Sequence, residues 1–155
     1  MGLEIERKFL VNKEKWNNVE KPMKNLFRQG YLSTDSNKTI RVRLTDSNGY
    51  ITIKGSSVGA TRKEFEYEIP KKEAEELLDN FSVSELKKIR YKILYKGKLW
   101  EVDEFLGDNN GLIVAEIELT SESENFELPD WIDREVTGEE KYYNSNLSVN
   151  PFKKW

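Results

Sequence analysis

Glu4, Glu6 and Lys8 stand two residues apart, so on a β-strand they share one face while Ile5, Phe9 and Val11 take the other, with Arg7 the one charge among the apolar residues. The same spacing recurs along the chain, as Arg41 and Arg43, as Arg62, Glu64, Glu66 and Glu68, as Lys88, Arg90 and Lys92, as Glu101 and Asp103, and as Glu116 and Glu118. Blocks of Arg and Lys on neighbouring strands can hold a polyanion such as a chain of phosphates, Arg through bidentate contacts and Lys as a compact charge. Blocks of carboxylates suit hard cations, Mg²⁺ or Mn²⁺, which bridge protein oxygens to phosphate oxygens. A polyphosphate clamped between bases and metal ions is a phosphoryl-transfer site.

Composition narrows the chemistry further. The 155 residues, 37% hydrophobic and 34% charged, suit one soluble domain spanning 1–155 with a sizeable core. With 25 basic and 28 acidic residues the net charge is only -3, so there is no overall basic field to collect nucleic acid or an anionic membrane, and charge-based function must be local. Cysteine and histidine are both absent, which removes disulfides, thiolate and imidazole ligands, cysteine nucleophiles and histidine bases. The N-terminus is too charged for a signal peptide, and no apolar run approaches the roughly 20 residues of a membrane span, so a cytoplasmic protein is expected.

The elements that must position these charges are mostly strands. Alternation predicts strands over Leu3–Val11, Arg28–Thr34, Thr39–Leu44, Tyr50–Lys54, Arg62–Ile69, Leu86–Tyr95, Trp100–Asp103, Leu112–Leu119 and Ile132–Thr137. Turn residues separate them at Asp35-Ser36-Asn37, Asp46 to Gly49, Lys96-Gly97-Lys98 and Gly107 to Gly111, and Gly55 to Gly59 reads as loop. Asn12–Val19 reads as a short helix anchored by Trp16. Ala74, Leu77, Leu78 and Phe81 recur at helical spacing after Pro70, predicting an amphipathic helix over Lys71–Phe81. A helical turn is expected within Ser121–Trp131, and Lys141–Trp155 reads as irregular. About eight strands joined by short turns favour a mainly β chain whose antiparallel sheet closes on itself.

Two geometries can use this pattern. The charged face can be the solvated exterior of a sandwich, where ion pairs contribute at most about 1 kcal/mol each. Alternatively, the charges line a wet lumen and the apolar face points outward under helices, since burying so many ions dry costs several kcal/mol per ion. The grouping of charges by sign, acids at Glu64–Glu68 and Glu116–Glu118 and bases at Arg41–Arg43 and Lys88–Lys92, favours the lumen.

Glu4-Ile5-Glu6-Arg7-Lys8 resembles the ExExK signature of the CYTH domain, also called the triphosphate tunnel metalloenzymes. The similarity continues in the family's order through Arg41-Val42-Arg43, Thr52-Ile53-Lys54, Arg62, Glu64-Phe65-Glu66, Lys88-Ile89-Arg90, Asp103 and Ala115-Glu116-Ile117-Glu118, nearly the whole chain. The resemblance implies an eight-stranded antiparallel closed β-barrel with a few external helices. It further implies a metal-dependent hydrolase that cleaves the phosphoanhydride bond of tripolyphosphate or another triphosphate.

Position by position, the resemblance implies that Lys8, Arg41, Arg43, Lys54, Lys88 and Arg90 contact the triphosphate. It implies that Glu4, Glu6, Glu64, Glu66, Asp103, Glu116 and Glu118 supply metal ligands for Mg²⁺ or Mn²⁺, with Glu4, Glu6 and Lys8 also at the catalytic centre. Arg62 resembles another basic tunnel position, which implies a contact to phosphate or a hold on Glu64 and Glu66; Tyr31 resembles a tyrosine near the scissile bond; Lys141 resembles a basic position closing over substrate. Like charge at Glu116 and Glu118 should strain the metal-free site. A class IV adenylyl cyclase, a thiamine triphosphatase and a non-catalytic polyphosphate-binding module remain alternatives. The partner expected is a small-molecule triphosphate, with neither nucleic acid nor membrane; a homodimer is compatible with the sequence.

Overall fold

The computed structural model describes residues 2–155. Nine antiparallel strands form one sheet: β1 (Glu4–Val11), β2 (Lys24–Ser33), β3 (Thr39–Leu44), β4 (Gly49–Val58), β5 (Thr61–Ile69), β6 (Ser84–Tyr95), β7 (Lys98–Phe105), β8 (Ile113–Glu118) and β9 (Ile132–Glu135). The order is β5-β4-β3-β2-β6-β7-β8-β1-β9, and a further β1–β5 pairing closes the first eight into a barrel. That closing seam is short, Glu4 opposite Arg62 and Ile5 opposite Thr61. Beyond it the same edge of β1 pairs with β9, Phe9 opposite Glu135 and Val11 opposite Ile132. The expected closed eight-stranded barrel is therefore present, with one strand added.

The pleat sends charges inward and apolar side chains outward, and the outward face is covered in two places. Over β1, β7 and β8, the residues Phe9, Val11, Trp100, Val102, Ala115 and Ile117 pack with Trp16, Leu119 and Trp131. Trp16 comes from the helix α1 (Lys13–Asn17), capped by the Asn12 side chain, which accepts from the Lys15 N–H at 3.0 Å. Trp16 is fully buried, edge-on to Tyr91, beside Trp131 at 5.1 Å, and donates its indole N–H to Glu104 at 2.7 Å. On the opposite wall, the helix α2 (Lys71–Phe81) lays Ala74, Leu77 and Leu78 on Val42, Leu44 and Ile51.

A third apolar group closes one end of the lumen. Leu10, Leu86, Phe105 and Val114 lie two residues beyond Lys8, Lys88, Asp103 and Glu116, so they share the inward face, and there the lumen turns from charged to apolar. Val136, Tyr142 and Leu147 of the C-terminal segment fill that end. The segment, expected to be irregular, is wound into short helical turns at Glu140–Tyr142, α3 (Asn144–Leu147) and Phe152–Lys154.

Other boundaries differ from expectation. β4 runs on through Gly55–Val58, where a loop was expected, because that stretch pairs with β5, Ser57 opposite Arg62. β2 begins at Lys24, four residues early, held by β6. Ser121–Trp131 holds two hydrogen-bonded turns, Glu124 N–H to Ser121 O at 3.2 Å and Ile132 N–H to Pro129 O at 3.1 Å, and no helix. Among the described residues no helix is long and apolar enough to cross a membrane.

Close approach of α2 requires small residues on the wall. A Cβ at Gly49 would stand 2.6 Å from the Ala74 Cβ and 3.2 Å from the Ile69 carbonyl oxygen, neither able to swing away. Gly49→Ala should therefore push α2 outward and lower stability by about 1–3 kcal/mol, read from urea unfolding; unchanged stability would show that the helix is free to shift.

Candidate functional site

Barrel closure gathers the alternating charges from all sides into one cavity of about 270 Å³. Its lining carries Glu4, Glu6, Glu64, Glu66, Glu101, Glu116 and Glu118 together with Lys8, Arg41, Arg43, Lys54, Arg62, Lys88 and Arg90. The two signs are segregated around the ring. Arg41 and Arg43 on β3 and Lys88 and Arg90 on β6 flank the uncharged Gln29 and Tyr31 of β2, making a basic arc. Glutamates of β8, β1 and β5 make the facing arc.

The basic arc is held by a buried acid on the same inward face. Asp103 is buried and accepts from Lys88 Nζ at 2.7 Å, Arg90 Nε at 2.7 Å and Arg90 NH2 at 2.8 Å. Burial alone would push its carboxyl up, but these cations bring it down instead. Expected among metal ligands, Asp103 instead does not line the cavity, because both oxygens are taken by the two cations it holds. Arg90 spans further to Glu116 at 2.9 Å and Glu101 at 3.4 Å, separating two glutamates that face each other directly across β7 and β8.

The early start of β2 brings in Phe27, absent from the expected set. The cationic groups of Arg43, Arg90 and Lys88 lie 4.6, 5.2 and 6.0 Å from its ring centre. Burial, then the charges of Arg41 and Arg90, lowers Arg43 to about 9. Burial likewise lowers Lys88 to about 7, against the pull of Asp103. Lys88 has Asp103 as its counter-ion, whereas Arg43 has no ion-pair partner among the described residues and donates its Nε–H to Gln29. Arg41 donates NH2 to Thr52 at 3.0 Å and Glu66 at 3.3 Å, while its buried Nε has no partner.

The acidic arc is arranged in close pairs. Glu6 and Glu116 lie within hydrogen-bonding reach, as do Glu4 and Glu64. Burial, reinforced by Glu116 and Glu4, pushes the Glu6 carboxyl well above the ordinary range. Burial would raise Glu116 too, but Lys8 at 3.7 Å and Arg90 hold it well below that range. The strain expected at Glu116 thus resides on Glu6. Burial raises Glu64 and Glu118, whereas Lys54, 3.2 Å from both Glu4 and Glu64, overcomes burial and lowers Glu4. Glu118 and Glu66 are exposed at the mouth, and Glu66 is occupied by Arg41 and by Thr52 at 2.8 Å. Among the described residues no three carboxylates form a ready-made cage, so a cation held between these pairs would complete its shell with water or phosphate oxygens.

The remaining expected residues divide. Tyr31 lines the cavity and accepts from Gln29 Nε2 at 3.0 Å, which leaves its own hydroxyl hydrogen for another acceptor. Arg62 lines the cavity but is tied to Gly55 O at 2.6 Å and Thr39 Oγ1 at 3.1 Å, not to Glu64 or Glu66. Lys141 lies outside, exposed, with its ammonium 4.3 Å from the Trp155 ring centre. Residues 137–145 replace it, sending Thr137, Tyr143, Asn144 and Ser145 to the lining. Their types carry no charge alternation, so no local signal distinguishes them from ordinary loop.

A CYTH domain model matches residues 2–149. An inorganic triphosphatase of Acetivibrio thermocellus is 50% identical over 154 residues, covering 99% of this chain and 97% of its own. Another, of Nitrosomonas europaea, is 34% identical over 152 residues, covering 95% and 97%. A crystal structure of an inorganic triphosphatase superposes with a TM-score of 0.65 at 31% identity over 94% of each chain.

The paired acids give a pH signature. Because Glu6 is raised, the folded state holds a proton that the unfolded chain has already released, and stability falls as pH rises from the ordinary carboxylate range through the raised value. Glu6→Gln has no such proton to lose. In EDTA it should melt about 2–4 °C above the parent at about pH 8, the gap closing toward about pH 4. Equal melting at both pH values would place the strain elsewhere.

Proposed function

The chain belongs to the CYTH domain family, and from that premise we propose that it is an inorganic triphosphatase, hydrolysing a phosphoanhydride bond of tripolyphosphate in the lumen with Mg²⁺ or Mn²⁺. The whole chain, 1–155, acts as one tunnel domain. The observation that carries this reading is the bipolar lumen, with a basic arc fixed by buried acid and a facing arc of carboxylates crowded into pairs.

Arg41, Arg43, Lys88 and Arg90, all lining the lumen, take the phosphate oxygens. Lys8 and Lys54, already among acids, bridge the two arcs. The donor set fits a hard divalent cation, since in each all-oxygen pair one carboxyl is raised by its neighbour's charge and is relieved when positive charge enters between them. Glu4 and Glu64 on one side and Glu6, Glu116 and Glu118 on the other would hold it. When bound, the metal polarises phosphoryl oxygens and acidifies water. Asp103 is assigned to orienting Lys88 and Arg90, and Glu66 to orienting Arg41.

The chain's own residues then perform three tasks. The basic arc spreads charge from the equatorial and leaving oxygens without reorganising, since its guanidinium and ammonium groups are pinned beforehand. Glu6, beside Glu4 and Glu116 on the acidic arc, is placed to orient the water that attacks in line with the leaving group. The Tyr31 hydroxyl offers its hydrogen to a phosphate oxygen beside Arg43.

Phosphate release from tripolyphosphate, ATP and thiamine triphosphate, with cyclic AMP measured in parallel, tests the reading. Release should be fastest from tripolyphosphate and require Mg²⁺ or Mn²⁺; cyclic AMP formation, or binding without release, would overturn it. Arg41→Ala should lower kcat/KM about 100-fold, without recovery at high metal concentration. Glu64→Gln should recover partly as Mn²⁺ is raised, because weakened metal affinity yields to mass action. Initial rates across a Mn²⁺ series decide between them, and the opposite pattern would exchange the two assignments.

A further inference from the structure

Asn144 enters the lumen from the C-terminal segment, and its amide orientation is dictated by donor-only neighbours. Arg43 Nε donates to Gln29 Oε1 at 3.1 Å, and since a guanidinium cannot accept, the Gln29 oxygen must face Arg43. The Gln29 nitrogen therefore faces the other way, donating to Tyr31 OH at 3.0 Å and to Asn144 Oδ1 at 3.1 Å. Lys88 Nζ, which also donates to Asp103, reaches the same Asn144 Oδ1 at 2.7 Å. Both lone pairs of that oxygen are then used, and Asn144 Nδ2 is left with two hydrogens that no acceptor among the described residues takes. Asn144 lines the cavity.

We propose that Asn144 is a substrate-binding residue whose Nδ2 donates to an oxygen of a phosphate group at the inner end of the basic arc. The proposal rests on the triphosphatase reading and adds to it a neutral contact supplied by the segment that plugs the barrel. Asparagine suits the position because one amide presents an acceptor to Lys88 and a donor to the anion. A carboxylate there would satisfy Lys88 yet repel phosphate, and Lys88 already has Asp103 for its charge.

Three variants in Mg²⁺ test the assignment, with KM and kcat for tripolyphosphate and calorimetric Kd for pyrophosphate as readouts. Asn144→Ala should weaken pyrophosphate binding about 10–100-fold and raise KM similarly. Asn144→Asp keeps the acceptor for Lys88 and Gln29 and so should melt no lower than the parent, yet bind more weakly than Asn144→Ala. To separate direct contact from action through Lys88, Asn144→Ala is repeated in a Lys88→Met background, where its cost in Kd should persist. A change in Kd under about threefold for Asn144→Ala, or a cost that vanishes without Lys88, overturns the assignment. A parent protein that binds tripolyphosphate but does not hydrolyse it overturns the functional reading while leaving the Asn144 contact standing.

Discussion

The short contacts from Lys88 and Arg90 to Asp103 are the interaction on which the site depends. Two cations side by side at the centre of a barrel repel each other and lose hydration, and a dry ion costs several kcal/mol. One carboxylate between them answers both penalties and fixes their direction. Arg90 then reaches on to Glu101 and Glu116, Glu116 to Lys8, and so the compensation passes across β7 and β8 to β1. Removing Asp103 would leave both cations under-compensated and loosen the wall that presents them.

Placing charge inside obliges the barrel to place its apolar residues outside, where they need a second layer. The aromatic cluster around Trp16, Trp100 and Trp131 covers one wall, and α2 covers another, close enough that Gly49 must lack a side chain. The C-terminal segment does two jobs at once. Tyr142 and Leu147 close the inner end with apolar contacts, while Asn144 between them in sequence faces the charged cavity. Structural closure and anion recognition thereby share one short stretch of backbone.

The resulting lumen suits a reaction whose main demand is electrostatic. Phosphoryl transfer needs charge positioned before the reaction starts, and the buried cations here are oriented by Asp103, Gln29, Asn144 and the Phe27 ring rather than by solvent. The acids remain crowded, with Glu6 raised and Glu116 lowered in the same pair. That imbalance is what a divalent cation would relieve.

Period-two alternation is a local property, so the sequence by itself determined the strands, the partition of their faces and the grouping of Arg41 with Arg43 or Glu116 with Glu118. The amphipathic helix over Lys71–Phe81 was equally readable, since its spacing is also local. Sign grouping already favoured the charged face as the inside, and tertiary structure supplied the closure, through a seam as short as Glu4 opposite Arg62 and Ile5 opposite Thr61. It also decided which charges reach the cavity. Asp103 shares the inward face with its cross-strand partner Arg90, yet Arg90 and Lys88 cover both of its oxygens and keep it out of the cavity lining. Lys141 has the charge for a phosphate contact but turns to Trp155, and the uncharged Asn144 three residues on points inward instead. A side chain's charge and parity are written in its neighbours in sequence, whereas its partner is whatever distant strand or terminus the closed sheet brings within 3 Å.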